Sequence, residues 1–194
     1  MYYVRAVYNK LLFSLSAIGA HQDAVSQQIN KAINQLIDYS ATYPADGILY
    51  YSSNMVICAH SDAGFHNESK GRGRVGALIL LSENDPMPKW NGPVLTLAHI
   101  IKFVMSSASE AELGAIFITA QEMLATRNTL EEMRWPHSKL PIQTENSSTE
   151  VLVSNKSVPR KIKTTDPLFH WLRRWESQGQ FRYYLARGGL NWGY

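Results

Sequence analysis

One cysteine, Cys58, in 194 residues leaves nothing to pair with inside the chain and no thiol cluster for zinc. A reducing compartment suits such a sequence, and the expected location is intracellular, cytoplasmic or nuclear. Long apolar runs are missing too: the longest are under ten residues, too short for a helix that spans a bilayer. The opening Met1-Tyr2-Tyr3-Val4-Arg5 lacks the basic start and apolar run of a signal peptide. With 12 glycines and 8 prolines, the chain is far from collagen-like or low-complexity composition. No phosphate-binding P-loop, no dinucleotide glycine pattern and no G-x-S-x-G nucleophile elbow occurs. What remains is 45% apolar and 18% charged residues, the balance of one ordinary domain with a small appendage.

The net charge of +3 conceals two halves of opposite sign. Residues 151–194 hold eight basic residues against two acidic ones, a surplus of +6, whereas the first 150 hold 11 basic and 14 acidic residues. A basic end on an acidic body suits a polyanion partner, and a solvated charged face is the alternative reading. Residues 1–41 read as helical, because Val25, Ile29, Ile33, Leu36 and Ile37 recur at three- and four-residue spacing. The turn cluster Tyr43-Pro44-Ala45-Asp46-Gly47 ends that segment and places a domain division between residues 1–44 and 45–194.

Beyond it the texture becomes β-like. Residues 48–52 form a β-prone run, 55–59 a strand buried on both faces, 75–81 and 94–104 two further strands, and 64–74 a polar, glycine-rich loop. Helices are expected at 107–126, 129–135, 147–154 and 166–178, with short strands ending near Glu145 and spanning 181–185. Three adjacent strands pair antiparallel, and the two later ones, separated by helices, pair parallel. The expected fold is α/β: a mixed five-stranded sheet flanked by helices, with an N-terminal helical extension.

Three acidic positions stand out. Asp62 follows the buried strand, where α/β sheets build their sites. Glu110 and Glu112 open the long helix on opposite flanks of its apolar stripe, so periodicity does not choose between them. Glu145 ends a strand and precedes Asn146-Ser147 at a helix start. Each has an ordinary explanation, a turn aspartate or a first-turn helix charge. Together, with no histidine or cysteine ligand set, they suit a hard cation, Mg²⁺ or Mn²⁺, and the phosphoryl chemistry such ions support.

Ser61-Asp62-Ala63-Gly64-Phe65, Ser107-Ala108-Ser109-Glu110-Ala111-Glu112-Leu113-Gly114-Ala115 and Gln143-Thr144-Glu145-Asn146-Ser147 occur in that order. Val158-Pro159-Arg160-Lys161-Ile162-Lys163 and Gly179-Gln180-Phe181-Arg182-Tyr183-Tyr184 follow. This series resembles the RNase H domain of copia-type retrotransposon polyproteins, over roughly residues 45–194. Residues 1–44 resemble the segment that connects the reverse transcriptase to that domain. The resemblance implies an RNase H-like fold, two Mg²⁺ ions (or Mn²⁺) and endonucleolytic cleavage of RNA in RNA–DNA hybrids. It implies Asp62, Glu112 and Glu145 as catalytic and metal-ligating residues. It makes Asn146, Arg160, Lys161 and Lys163 nucleic-acid contacts, and a reverse transcriptase domain the original covalent neighbour.

Two positions depart from the family pattern. Glu145 stands where the family has Asp, which moves the carboxylate by about one carbon–carbon bond, roughly 1.5 Å. Mg²⁺ adapts poorly to such shifts, and a displacement near 1 Å costs on the order of 100-fold in rate. The family's fourth acid lies in a helix after the last strand, and no acid follows Gly193. Asp166, followed by Pro167, reads as a helix cap rather than a substitute. The expectation is therefore a hybrid nuclease with weakened or lost cutting; the alternative is a non-catalytic nucleic-acid-binding module or inactive transposon remnant. Arg173, Arg174 and Arg182 are further candidates for phosphate contact. Trp171 and Trp175 are expected in the core, and Trp90 exposed in its loop.

Overall fold

The computed structural model describes residues 2–21, 23, 26–137, 139–154 and 167–185. The chain forms two compact units, residues 1–50 and 51–193. Val158–Lys163, Asp166 and the segment after Leu185 lie outside the described residues, as does Val25 of the first predicted helix.

The first unit is helical: α1 (Tyr2–Ala6), a 3-10 turn (Asn9–Leu11), α2 (Leu12–Gly19) and α3 (Gln27–Thr42). Ser26 caps α3 by accepting from the Ile29 amide at 3.3 Å. Val4, Tyr8, Leu11 and Leu12 are buried, and the Tyr8 hydroxyl donates to the Tyr43 carbonyl at 3.1 Å. The apolar stripe on α3 is only partly covered: Ile29, Ile33 and Leu36 are half-buried, while Ile37 is exposed.

The second unit is the expected mixed sheet. Its elements are β1 (Val56–Glu68), β2 (Arg72–Ser82), β3 (Pro93–Val104), α4 (Ala108–Glu132), β4 (Leu140–Thr144), α5 (Ser147–Val153), α6 (Pro167–Ser177) and β5 (Phe181–Leu185). Sheet order is β3-β2-β1-β4-β5; β1–β2 and β2–β3 are antiparallel, and β1–β4 and β4–β5 parallel. The parallel pairs are those with a helix in the connection, as crossover geometry requires. Ile57, Ala59, Ile79, Ile142 and Phe181 from the sheet pack with Ile116, Ala120 and Met123 of α4 and with Phe169 and Leu172 of α6. Trp171 and Trp175 pack against this cluster, as their i, i+4 spacing predicts.

Three local expectations fail. Residues 48–52 form no strand. The predicted 64–74 loop is instead the end of a long hairpin: β1 runs on to Glu68, a 3-10 turn covers Ser69–Gly71, and β2 begins at Arg72. Polar residues suffice there because a tight backbone contact and an ion pair hold the two strands. A Cβ on Gly73 would stand 2.6 Å from the Gly64 carbonyl oxygen, so only glycine lets the strands approach this closely. The Arg74 guanidinium, 2% exposed, donates from Nε to Glu68 Oε1 at 2.7 Å. Finally, the helices predicted at 107–126 and 129–135 are one, α4. Thr126 and Thr129 return their hydroxyls to the carbonyls of Glu122 and Ala125 and so do not interrupt it.

Candidate active site

Strand alternation sorts the β1 side chains onto two faces. Ile57, Ala59 and Ser61 turn toward α4, where the Thr119 hydroxyl donates to Ser61 Oγ at 3.1 Å. Cys58 and His60 belong to the other face, and Asp62 lies further along β1, beside the start of α4. Asp62 lies within β1, opposite Gly76 of β2, and not past the strand's end as the sequence suggested. The polar residues of the hairpin, which continue β1 to Glu68, carry no strand signal in the sequence.

The start of α4 gives the two glutamates different surroundings. Ser107 caps the helix by accepting from the Glu110 amide at 3.2 Å, and Glu110 folds back to accept from the Ser106 amide and hydroxyl at 2.8 and 2.7 Å. Glu110 thus serves the exposed cap. Glu112, two residues on, is 9% exposed and lies within hydrogen-bonding reach of the Asp62 carboxyl. The Ala63 amide donates to Asp62 Oδ1 at 2.8 Å and also favours the charged form of Glu112.

Burial pushes the Glu112 carboxyl up to about 8, and the neighbouring charge and hydrogen bond of Asp62 add to the rise, with a smaller contribution from Glu145. Two carboxyls this close cannot both be ionised cheaply. Glu112 Oε2 is buried and has no hydrogen-bond partner. A buried acceptor without a donor beside a second carboxylate is what a cation would satisfy, so the Asp62–Glu112 pair fits a hard metal ion.

Glu145 directly follows β4, half exposed, with Oε1 3.9 Å from His60 Nε2. Among the described residues, no group of three or more His, Cys, Asp and Glu side chains is gathered closely enough to hold one metal ion. The structure thus joins Asp62 to Glu112 and sets Glu145 beside them against His60. Asn146 caps α5, its Oδ1 accepting from the Thr149 amide at 3.0 Å. Arg160, Lys161 and Lys163 lie outside the described residues.

Of the other basic candidates, Arg174 is exposed, while Arg173 sits 5.2 Å over the Phe169 ring. Arg182 is engaged elsewhere: Nη1 donates to the Pro86 carbonyl at 2.6 Å and Nη2 to the Asp85 carbonyl at 3.2 Å. Trp90 is half-buried rather than exposed, its ring 5.4 Å from that of His60 in an edge-on contact. His60 itself went unread in the sequence. Its signal was spacing: two residues before Asp62 on one strand, it lies close enough to feel that carboxylate. Burial holds its imidazole below the ordinary value, against the pull of Asp62. Burial also pushes the Cys58 thiol up to about 12, which removes it as a nucleophile.

No family model matches the chain, and no curated protein sequence matches it. Solved structures do resemble it. LC11-RNase H1, isolated from compost by a metagenomic approach, superposes with a TM-score of 0.50 at 11% identity, over 69% of this chain and 86% of its own. The same protein in complex with an RNA/DNA hybrid gives 0.48 at 13% identity, over 68% and 86%. The foamy viral protease-reverse transcriptase in complex with RNA/DNA hybrid gives 0.48 at 10% identity, over 86% of this chain and 20% of that one. The first of these, with the strand order above, shows an RNase H-like fold. Among the described residues no helix is long and apolar enough to cross a membrane.

Proposed function

We propose that this chain is an RNase H-like domain of a copia-type retrotransposon polyprotein that binds RNA–DNA hybrids and cleaves their RNA strand slowly. The observation that carries the reading is Glu112, buried beside half-buried Asp62 with one oxygen lacking a hydrogen-bond partner, on a fold of this kind. Asp62 and Glu112 would hold Mg²⁺, with Glu145 as a third ligand. When bound, the ion supplies positive charge for the developing phosphoryl transition state and lowers the pKa of a coordinated water. The chain's own part is to offer two carboxylates from rigid elements, β1 and α4, and to surrender the proton that Glu112 otherwise keeps. Residues 1–44 would connect to a reverse transcriptase, and residues 45–194 form the nuclease domain. Arg160, Lys161 and Lys163, with exposed Arg174, would contact phosphates, and Asn146 the hybrid beside Glu145.

One observation favours a second reading, a binding module without catalysis: three carboxylates are not gathered at ligating distance among the described residues. A labelled hybrid separates the two. The parent should cut slowly with Mg²⁺, Glu145→Asp should cut faster, by up to about 100-fold if carboxylate placement is the defect, and Asp62→Asn should not cut. Binding should weaken steeply with salt and show little sequence preference, because the backbone and 2′-hydroxyls of an A-like duplex are read. Salt-dependent binding with no cleavage in any variant would establish the second reading. Cleavage that survives Asp62→Asn, or no binding at low salt, would defeat the first.

A further inference from the structure

The connection between β2 and β3, residues 83–92, crosses the sheet face opposite α4. One row of neighbouring residues runs across that face: Leu78 of β2, His60 of β1, Gln143 of β4 and Tyr184 of β5. The Tyr184 hydroxyl donates to Gln143 Oε1 at 3.3 Å, which ties the two right-hand members. The connection starts at β2, sets Trp90 edge-on against His60, and reaches Arg182 of β5, which donates to two of its carbonyls. Its other end is pinned too. The Ser82 hydroxyl donates to the Lys89 carbonyl, and Asn91 Nδ2 donates to the Tyr51 and Leu81 carbonyls at 2.9 and 2.7 Å. A strap tied at both ends therefore presses one aromatic ring onto one buried imidazole. That imidazole is the group at 3.9 Å from the Glu145 carboxylate.

We propose that the 83–92 strap, latched by Arg182 and acting through Trp90 on His60, is the positioning device for Glu145. His60 touches neither substrate nor reacting atoms; it is a positioning residue, with Trp90 and Arg182 behind it. The arrangement answers a need that this site has and an aspartate would not. Glu145 has one more rotatable bond than Asp and lies half exposed at a strand end, so its carboxylate is free to wander. A fixed imidazole beside it limits where it rests. Partners that orient ligands in this way are typically worth about 10- to 100-fold in metal affinity.

The inference rests on the metal reading above, so its test has one arm that needs no metal. In the 194-residue chain without divalent cations, the imidazole NMR signals of His60 should shift in Glu145→Gln. They should shift again in Trp90→Ala and in Arg182→Met, and return toward the parent in Trp90→Phe, which keeps an aromatic edge. In the second arm, Mg²⁺ affinity is measured by calorimetry. Trp90→Ala and Arg182→Met should weaken it about tenfold when Glu145 is present and leave it unchanged in the Glu145→Gln background. A strap with a merely structural role would change affinity equally in both backgrounds, and that result would overturn the proposal. So would His60 signals indifferent to Glu145. If the parent takes up no Mg²⁺, the metal reading fails, and the metal-free arm alone then decides whether the strap sets the His60–Glu145 contact.

Discussion

Replacing Glu112 by Gln should stabilise the second unit at neutral and alkaline pH while removing its response to Mg²⁺. The size follows from the burial of the carboxyl. Its midpoint moves from the ordinary 4.5 to about 8 on folding. Below pH 4.5 folded and unfolded chains both hold the proton, and the group has no effect. Between 4.5 and 8 the unfolded chain releases the proton and the folded chain keeps it, so stability falls as pH rises; above 8 the loss is complete. At 1.36 kcal/mol per pK step the full loss is about 5 kcal/mol, and at pH 7 about 3 kcal/mol, both upper bounds because water admitted to the site would lessen them. Gln, neutral at every pH and equal in size, avoids the loss. All five tryptophans lie beyond residue 50, so urea unfolding followed by tryptophan fluorescence reports the second unit alone. In chelator, parent and variant should coincide near pH 4.5 and separate steadily to pH 8.5, the variant being more stable. With Mg²⁺ the parent should recover, increasingly so at higher pH, since the ion replaces the proton; the variant should respond little. Parallel stability curves across this range, or equal Mg²⁺ stabilisation of both proteins, would refute the pairing of Glu112 with Asp62 and the cation site built on it.

Asp62→Asn should lower the Glu112 midpoint, since the Asp62 charge and hydrogen bond both raise it; the carboxyl carbon signal of Glu112 followed through a pH titration checks this. Gly73→Ala should cost roughly 1–3 kcal/mol in urea unfolding, because its Cβ would meet a backbone oxygen at 2.6 Å, whereas Gly76→Ala, with open space around its Cβ, should lose nothing. Glu68→Ala should cost on the order of 3–5 kcal/mol by the same measurement, because it strips the carboxylate from a guanidinium that is 2% exposed.

The architecture was legible because it depends on order and spacing. Apolar runs of strand length at 75–81 and 94–104, and the stripe of Leu113, Ile116, Ala120 and Met123, report burial directly, and burial is what the sheet and α4 supply. Connection lengths then set the pairing: short links force antiparallel neighbours, and helical links force parallel ones. The hairpin beyond Asp62 was not legible. Its residues are polar, and what makes them strands is a glycine–backbone contact and the Arg74–Glu68 pair, both between residues of different strands. The choice of Glu112 over Glu110 was likewise beyond periodicity, which puts both on the flanks of one stripe. The resemblance pointed to Glu112; in the structure Glu110 accepts from the Ser106 amide and hydroxyl at the helix start, and Glu112 is buried beside Asp62.

In the sequence by itself, residue order and spacing carried the mixed α/β sheet and marked three acidic positions. They could not determine how those residues stand toward one another. Whether Asp62 raises the Glu112 carboxyl depends on where β1 and α4 meet. Whether Arg182 meets a phosphate or holds a strap depends on the path of residues 83–92 across three neighbouring strands. Trp90 and His60 lie thirty positions apart and touch only because that path is taken. Local pattern records the free energy of burying a face. Long-range juxtaposition is decided only when the whole sheet closes, and there the pKa of a carboxyl and the employment of an arginine are fixed.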